Sequence, residues 1–213
     1  MLRILIIVFI FVLTACASRT IKDEKRAHLH LSIGTDHLNN GRYPQALSEL
    51  TTAVNYDPYN PIIHNNLGIA YYVRKKFSEA EKHLRKAVEL KSNYTEARNN
   101  LSRVLIDMSL FDEAIRLLKI SNRDLQYAQP EKTKSSLGIA YFKKNKFKSA
   151  KKYLGQSLKL RGQHCQTSNY FARSLFELKK YDQAAIAFDQ AVNNCKMQVF
   201  DEPVYYGGLT YFK

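Results

Sequence analysis

The chain has 213 residues, of which 45% are hydrophobic and 24% charged, with 8 glycines and 5 prolines. This composition excludes an intrinsically disordered chain and is typical of a folded protein with a sizeable core. Lysine and arginine outnumber aspartate and glutamate by 33 to 19, which gives a formal net charge of +14. Such an excess favours an anionic membrane surface, a nucleic acid or an acidic protein as partner.

The chain opens with a short apolar segment. Arg3 precedes an uninterrupted apolar run over residues 4–13, which as a helix would span about 15 Å, roughly half of a bilayer core. A charged start, a short apolar run and small residues at its end predict an export signal over residues 1–15 and not a membrane span. Leu13-Thr14-Ala15-Cys16 resembles the lipobox of bacterial lipoprotein precursors. The alternative is an ordinary signal peptide with an incidental cysteine.

The lipobox resemblance implies an anchor and a location. In such precursors the cysteine is acylated and becomes the first residue of the mature protein, so we expect a covalent lipid on Cys16 and no other cofactor. Ala17, where Asp would favour inner-membrane retention, implies the periplasmic face of the outer membrane. Residues 16–26 are then a lipid-anchored tether. Export makes nucleic acid an unexpected partner.

The remainder of the chain repeats itself. Gly34 and Gly68 lie 34 residues apart, and Gly138 follows after two further periods plus two residues. An alanine stands twelve residues after each of these glycines, and apolar side chains recur at the i, i+3, i+4 and i+7 spacing of helices. Each second helix begins with an aromatic residue (Tyr43, Phe77, Phe111, Phe147 and Tyr181).

This pattern resembles the tetratricopeptide repeat (TPR) family. The resemblance implies an all-α superhelical solenoid of antiparallel helix pairs, with five full repeats and a terminal helix. The predicted TPR domain covers residues 27–213, with repeats at 27–60, 61–94, 95–130, 131–164 and 165–198 and a partial repeat at 201–213. The third repeat departs from the pattern, with Ser102 in place of Gly and a longer connection over 121–130.

Cys165 and Cys195 stand at the first and thirty-first positions of the fifth repeat. Antiparallel helices bring these two ends together, so a disulfide is geometrically reasonable, and an oxidising compartment would support it. Two buried free thiols are the alternative.

No catalytic constellation is present in the sequence. There is no HExxH, no zinc-spaced Cys/His quartet, no phosphate-binding glycine motif and no GxSxG. The six histidines are better interpreted as packing or surface residues than as metal ligands. We therefore expect a protein-binding scaffold and not an enzyme.

In TPR folds the first helix of each pair lines a groove that holds a peptide. Asparagine amides there can pair with a peptide backbone, arginine can grip a carboxylate, and aromatic side chains can form apolar pockets. By their spacing, the candidate groove residues are Asn65, Asn66, Tyr72, Asn99, Asn100, Arg103, Phe142, Asn169, Arg173 and Phe176.

A second candidate surface is the basic run over residues 143–152, which contains six lysines. A solvated helix face is one interpretation. Docking on an acidic partner or on anionic outer-membrane lipid is the other.

A narrower resemblance follows from the lipobox ahead of TPRs, from Asn-Asn-Leu-Gly at 65–68 and from Leu-Gln-Tyr-Ala-Gln-Pro-Glu at 125–131. Together these resemble the PilF/PilW/Tgl lipoproteins of type IV pilus biogenesis, in which an inserted Leu-x-Tyr-x-x-Pro segment precedes the Leu-Gly helix. The resemblance implies a pilotin that binds the pilus secretin and promotes its outer-membrane assembly. The sequence does not fix the oligomeric state, and a monomer is favoured. A general periplasmic adaptor that organises peptidoglycan enzymes is the alternative.

Overall fold

The computed structural model describes residues 22–161, 164–195 and 202–210, and every regular element within these ranges is a helix. The helices are α1 (22–39), α2 (Tyr43–Tyr56), α3 (Pro61–Val73), α4 (Phe77–Leu90), α5 (Thr95–Asp107), α6 (Phe111–Ser121), α7 (Pro130–Lys143), α8 (Phe147–Leu160), α9 (Cys165–Glu177), α10 (Tyr181–Cys195) and α11 (Glu202–Thr210). Five helix pairs are followed by one helix. The predicted all-α class is confirmed.

The turn inside each pair has the same backbone conformation. One residue per turn has a positive φ, namely Gly41, Lys75, Ser109, Asn145 and Lys179. The following amide then bonds back across the turn, as from Lys76 N to Tyr71 O at 3.0 Å, which satisfies carbonyls at the helix end. These turns recur every 34 residues except between Ser109 and Asn145, where the interval is 36 (145 − 109) and includes the longer connection.

Glycine allows the two helices of a pair to approach closely. A Cβ built on Gly68 would lie 2.4 Å from Leu84 Cγ, and one on Gly138 would lie 2.3 Å from Leu154 Cγ. Both leucines are fully buried. The third pair has Ser102 at this position, fully buried, with its hydroxyl donating to Arg98 O at 2.8 Å. A small side chain is therefore accommodated there by bonding to its own helix.

The chain divides into two compact units, residues up to Ala97 and residues from Arg98 onward. The core of the first unit is built of small and branched residues around Leu50, Ile63 and Leu67. A core cluster of the second unit surrounds Phe188 of α10, which is fully buried against α9. Small alanines at the contact positions keep the helix axes close, since a bulkier side chain would separate them.

The first helix begins earlier than the sequence analysis predicts. Residues 22–26, assigned to the tether, already belong to α1. Arg26 lies over the Tyr56 ring with its guanidinium carbon 5.5 Å from the ring centroid, and the adjacent Ala27 is buried. The contact between Arg26 and Tyr56 of α2 favours a helix that extends into the charged segment. The predicted signal at 1–15 and Cys16 lie outside the described residues.

The structure contains a disulfide between Cys165 and Cys195, with their Cα atoms 4.7 Å apart. It joins the first residue of α9 to the last residue of α10. Both cysteines are buried, at 6% and 4% exposure. The bridge therefore closes the open end of the fifth pair, opposite its turn.

Two histidines of the second pair form a half-buried contact that is sensitive to protonation. His64 Nε2 lies 3.0 Å from the Pro58 carbonyl oxygen, to which it donates, and His64 Nδ1 lies 3.0 Å from His83 Nδ1. The His83 ring also stacks on Tyr71, with centroids 5.5 Å apart. Burial, then the charges of His64 and Lys82, lower the pKa of His83 from 6.5 to about 4.

We expect stability to fall as the pH decreases from 7 toward 4. In that window the unfolded chain binds a proton at residue 83 that the folded chain does not, so unfolding is favoured by acid. The His83 share should be about 1–2 kcal/mol, less than the full shift would give because the ring is partly exposed. His83→Tyr should remove this share, because tyrosine does not titrate in this pH window. Tyrosine should fit the position, since the equivalent Tyr153 of α8 stacks on Tyr141 of α7 with ring centroids 5.6 Å apart.

Urea unfolding at pH 7.5 and pH 4.5 measures the effect. His28→Tyr, at an exposed position of α1, is the control and should keep the wild-type pH dependence. If His83→Tyr keeps that dependence too, the His64–His83 contact is not its source.

Candidate functional site

The polar residues of the first helices are occupied by hydrogen bonds between successive helix pairs. In the second unit, Asn99 Nδ2 donates to Thr133 Oγ1 at 2.7 Å, and Ser135 Oγ lies 2.7 Å from Thr167 Oγ1. Both contacts join the fifth position of one predicted repeat to the third position of the next. The same pair of positions therefore forms a polar connection twice in this unit.

The first unit contains a comparable contact between α1 and α3. Asn66 Nδ2 donates to Thr35 Oγ1 at 2.8 Å, and Asn65 Nδ2 donates to Asn66 Oδ1 at 3.2 Å. Asn65 is 2% exposed and Asn66 8%. Their amides thus support the packing of two first helices.

Burial limits what four of the predicted groove asparagines can offer a peptide. Asn65 and Asn66, together with Asn99 at 4% exposure and Asn169 at 0%, are buried and present little amide surface to a peptide. The physical reason is the approach of neighbouring first helices, which covers the side chains between them. Because buried amides must be hydrogen-bonded, small hydroxyl residues on the adjacent helix serve as partners for two of them, Asn66 and Asn99.

Four of the other predicted groove residues are more accessible. On α5, Arg103 is exposed and Asn100 half-buried, and the three-residue spacing places them on one face of the helix. Tyr72 on α3 is half-buried beside Phe77, with ring centroids 6.0 Å apart. Phe176 on α9 is half-buried against Tyr181 at 5.6 Å. These residues leave part of their surface for a ligand.

Arg173 and Phe142 come together in an aromatic cluster of the second unit. The Arg173 guanidinium carbon lies 4.9 Å from the Phe142 ring centroid and 5.5 Å from that of Tyr170. Phe142 is 8% exposed and meets Phe147 and Tyr170 edge to face, at 5.4 and 5.1 Å. Stacking orients the guanidinium plane, whereas Phe142 itself is a packing residue and not an open pocket.

Sequence reasoning did not identify Thr133, Thr167 or Tyr170. The two threonines lie 34 residues apart, at the third position of successive repeats, so a search for recurring hydroxyl residues would have found them. Tyr170 has no recurring counterpart that would have marked it. Its contact with Phe142 depends on how α7 and α9 pack.

The described ranges contain no group of three His, Cys, Asp or Glu side chains that could hold a metal ion. A cavity of about 290 Å³ lies at the turn between α9 and α10 and is lined by Lys179, Lys180, Tyr181, Asp182, Gln183 and Thr210. None of the predicted groove residues lines it. No helix within the described part of the chain has the length and hydropathy to cross a bilayer.

Comparison with known proteins identifies the repeat. A family model described as "Tetratricopeptide repeat" matches residues 31–95, and one described as "Anaphase-promoting complex, cyclosome, subunit 3" matches residues 124–191. RNA polymerase II-associated protein 3 of Homo sapiens is 30% identical over 92 residues, which are 43% of this chain and 14% of that protein. The STIP1 homolog of Dictyostelium discoideum is 33% identical over 134 residues, covering 60% of this chain and 23% of that protein. The chain thus spans less than a quarter of the length of these two relatives.

Several solved structures share the fold over most of this chain. PilF of Pseudomonas aeruginosa has a TM-score of 0.72 at 20% identity and covers 88% of this chain and 91% of its own. PilW, described as a widely conserved type IV pilus biogenesis factor, has a TM-score of 0.76 at 20% identity, with coverages of 83% and 80%. MamA of Desulfovibrio magneticus RS-1 has a TM-score of 0.68 at 18% identity, with coverages of 82% and 98%. At these identities the likeness establishes the fold.

Proposed function

We propose that this chain, whose residues 31–95 match a tetratricopeptide-repeat model, is a lipid-anchored scaffold that binds the type IV pilus secretin and promotes its assembly in the outer membrane. The observation that carries the proposal is the likeness to PilF and PilW over most of both chains. PilW is a widely conserved type IV pilus biogenesis factor. The Leu-x-Tyr-x-x-Pro segment at 125–130 adds to this support.

The N-terminal sequence supports the anchored part of the proposal. A lipid on Cys16 would hold the repeats at a membrane surface, and several acyl chains on one residue would anchor it firmly where a single chain binds only marginally. The scaffold would then act by bringing secretin subunits to the outer membrane.

The accessible residues of the first helices support the binding part of the proposal. Arg103 and Asn100 on α5 combine a cation that can pair with a carboxylate and an amide that can bond a peptide backbone. Arg173 on α9, oriented by two rings, offers a second cation, with Phe176 three residues further along. A segment of secretin with a carboxylate and an apolar side chain would match this chemistry.

The experiment is secretin assembly in a strain that lacks this gene. We expect heat- and SDS-resistant secretin multimers to disappear from outer-membrane fractions while monomer remains, and the wild-type gene to restore them. A Cys16→Ala gene should fail to restore multimers at the outer membrane. If multimers persist in the deletion strain, the secretin is not the client. If the Cys16→Ala gene restores them fully, the anchor is not required.

The same strain can test the binding surface. Arg103→Glu reverses an exposed charge on a first helix, and Arg116→Glu makes the same change at an exposed position on the second helix α6. We expect Arg103→Glu to reduce multimer recovery several-fold and Arg116→Glu to leave it unchanged. Equal effects of the two changes would place the contact outside the first helices.

A further inference from the structure

The second helix of the fourth pair differs in charge from every other second helix. Helix α8 contains four lysines and no acidic residue, a net charge of +4. In α4, three cations face three glutamates, and α6 has two of each, so both are neutral. Helices α2 and α10 contain one and two acidic residues and no Lys or Arg. Among the second helices, the basic excess is thus confined to α8 and does not follow the repeat.

Three of the α8 lysines form a continuous exposed stripe. Lys148, Lys152 and Lys159 are exposed, and spacings of four and seven residues keep them on one face of the helix. Ala150, Leu154 and Ser157 occupy the opposite, buried face. We call the set Lys148, Lys152 and Lys159 the α8 lysine stripe.

Among the described residues, no acidic side chain neutralises the charge of the stripe. In the part of the chain that the structure describes, no carboxylate lies within 4.0 Å of these three lysines; Asp112 pairs instead with Lys144, and Glu131 with Arg161. On α4, by contrast, Arg85 pairs with Glu81 and Lys86 with Glu89. Exposed Lys143, the last residue of α7, and exposed Lys146, directly before α8, extend the positive surface beyond the stripe.

We propose that the α8 lysine stripe docks the protein on an anionic phospholipid surface. The stripe is lysine alone, and lysine is a hydrated point charge without the fork geometry by which arginine recognises carboxylates at protein interfaces. Protein interfaces are enriched in arginine and depleted in lysine, whereas clustered lysines on a helix adsorb to acidic headgroups without fixed geometry. Leu160, 55% exposed beside Lys159, provides an apolar contact at the end of the stripe.

This docking does not rest on the secretin proposal or on acylation of Cys16. It adds an electrostatic contact from the repeats themselves. A lipid chain together with a basic surface is a combination that gives stable attachment where one signal alone is marginal. The contact would also hold α8 and its pair against the membrane, so that the repeats approach it on one defined side.

The test is co-sedimentation of the full chain with vesicles of phosphatidylcholine containing about one third phosphatidylglycerol. Vesicles of phosphatidylcholine alone give the background from the apolar N-terminal segment, which all variants share. The stripe variant is Lys148→Gln with Lys152→Gln and Lys159→Gln. The matched control is Lys82→Gln with Arg85→Gln and Lys86→Gln on α4, which removes the same number of positive charges.

We expect the stripe variant to lose about tenfold or more of its affinity for the anionic vesicles at low salt, and the α4 variant to stay within about twofold of wild type. Wild-type binding should weaken steeply as salt rises, because screening shortens the reach of exposed charges. Thermal melts of the three proteins should coincide. The proposal is overturned if both variants lose affinity equally, or if the stripe variant binds vesicles like wild type while losing binding only to a soluble polyanion such as heparin.

Discussion

Reduction of the Cys165–Cys195 disulfide should lower the stability of the fifth helix pair by about 3–4 kcal/mol. The bridge spans 30 residues. Closing a loop of that length lowers the conformational entropy of the unfolded chain, which raises its free energy by about 3–4 kcal/mol. It joins the ends of α9 and α10 that the turn at Lys179 does not hold. Without it, these ends are held by the hydrogen bond from Asn194 Nδ2 to Ser168 Oγ at 2.8 Å and by side-chain packing such as that around Phe188.

Hydrogen exchange on the oxidised and reduced forms of one preparation is the appropriate measurement. The sequence is then identical, and no buried cysteine is replaced by a side chain that packs differently. Amides of α9 and α10 should exchange faster after reduction, while those of α3 and α4 should not change, because neighbouring repeats are coupled mainly to their nearest neighbours. Equal protection of these amides in both forms would show that the disulfide does not stabilise the fifth helix pair.

Gly138→Ala should destabilise the second unit by about 1–2 kcal/mol net. The new Cβ would lie 2.3 and 2.7 Å from side-chain atoms of Leu154 and 3.1 Å from its backbone nitrogen. Leu154 is fully buried, and its backbone can move only if α7 and α8 separate. Overpacking of this kind costs about 1–3 kcal/mol or more, and the better helix propensity of alanine offsets about 1 kcal/mol of it.

The terminal helix provides the control for this change. Gly208 stands in α11 with no atom within 4 Å of an added Cβ, so Gly208→Ala should leave stability unchanged or raise it slightly. Thermal unfolding followed by circular dichroism compares the two. In a Gly138→Ala/Leu154→Ala double variant, the loss should be smaller than the sum of the single losses, since each change relieves the other. Additive losses would show that the two side chains do not compete for one space.

The helix pairs and their disulfide could be predicted from the sequence because they depend on regular spacing. Glycine recurring every 34 residues marks where two helices touch, and the aromatic at the start of each second helix marks the turn. Cys165 begins the first helix of one pair and Cys195 ends the second, so their proximity follows from the antiparallel arrangement. The early start of α1 did not follow, because Arg26 is stabilised over Tyr56 by a contact between helices.

The candidate site was only partly predictable for the same reason. Spacing places Asn99 and Arg103 on the same first helix and the same side, yet one is buried against Thr133 and the other is exposed. A four-residue separation cannot distinguish them, since burial depends on what the next first helix presents. The sequence by itself determined the repeat, its register and the excess of lysine on α8. Only the tertiary structure decided which amides are covered and which cations are unpaired, because both depend on side chains brought close by packing between helices.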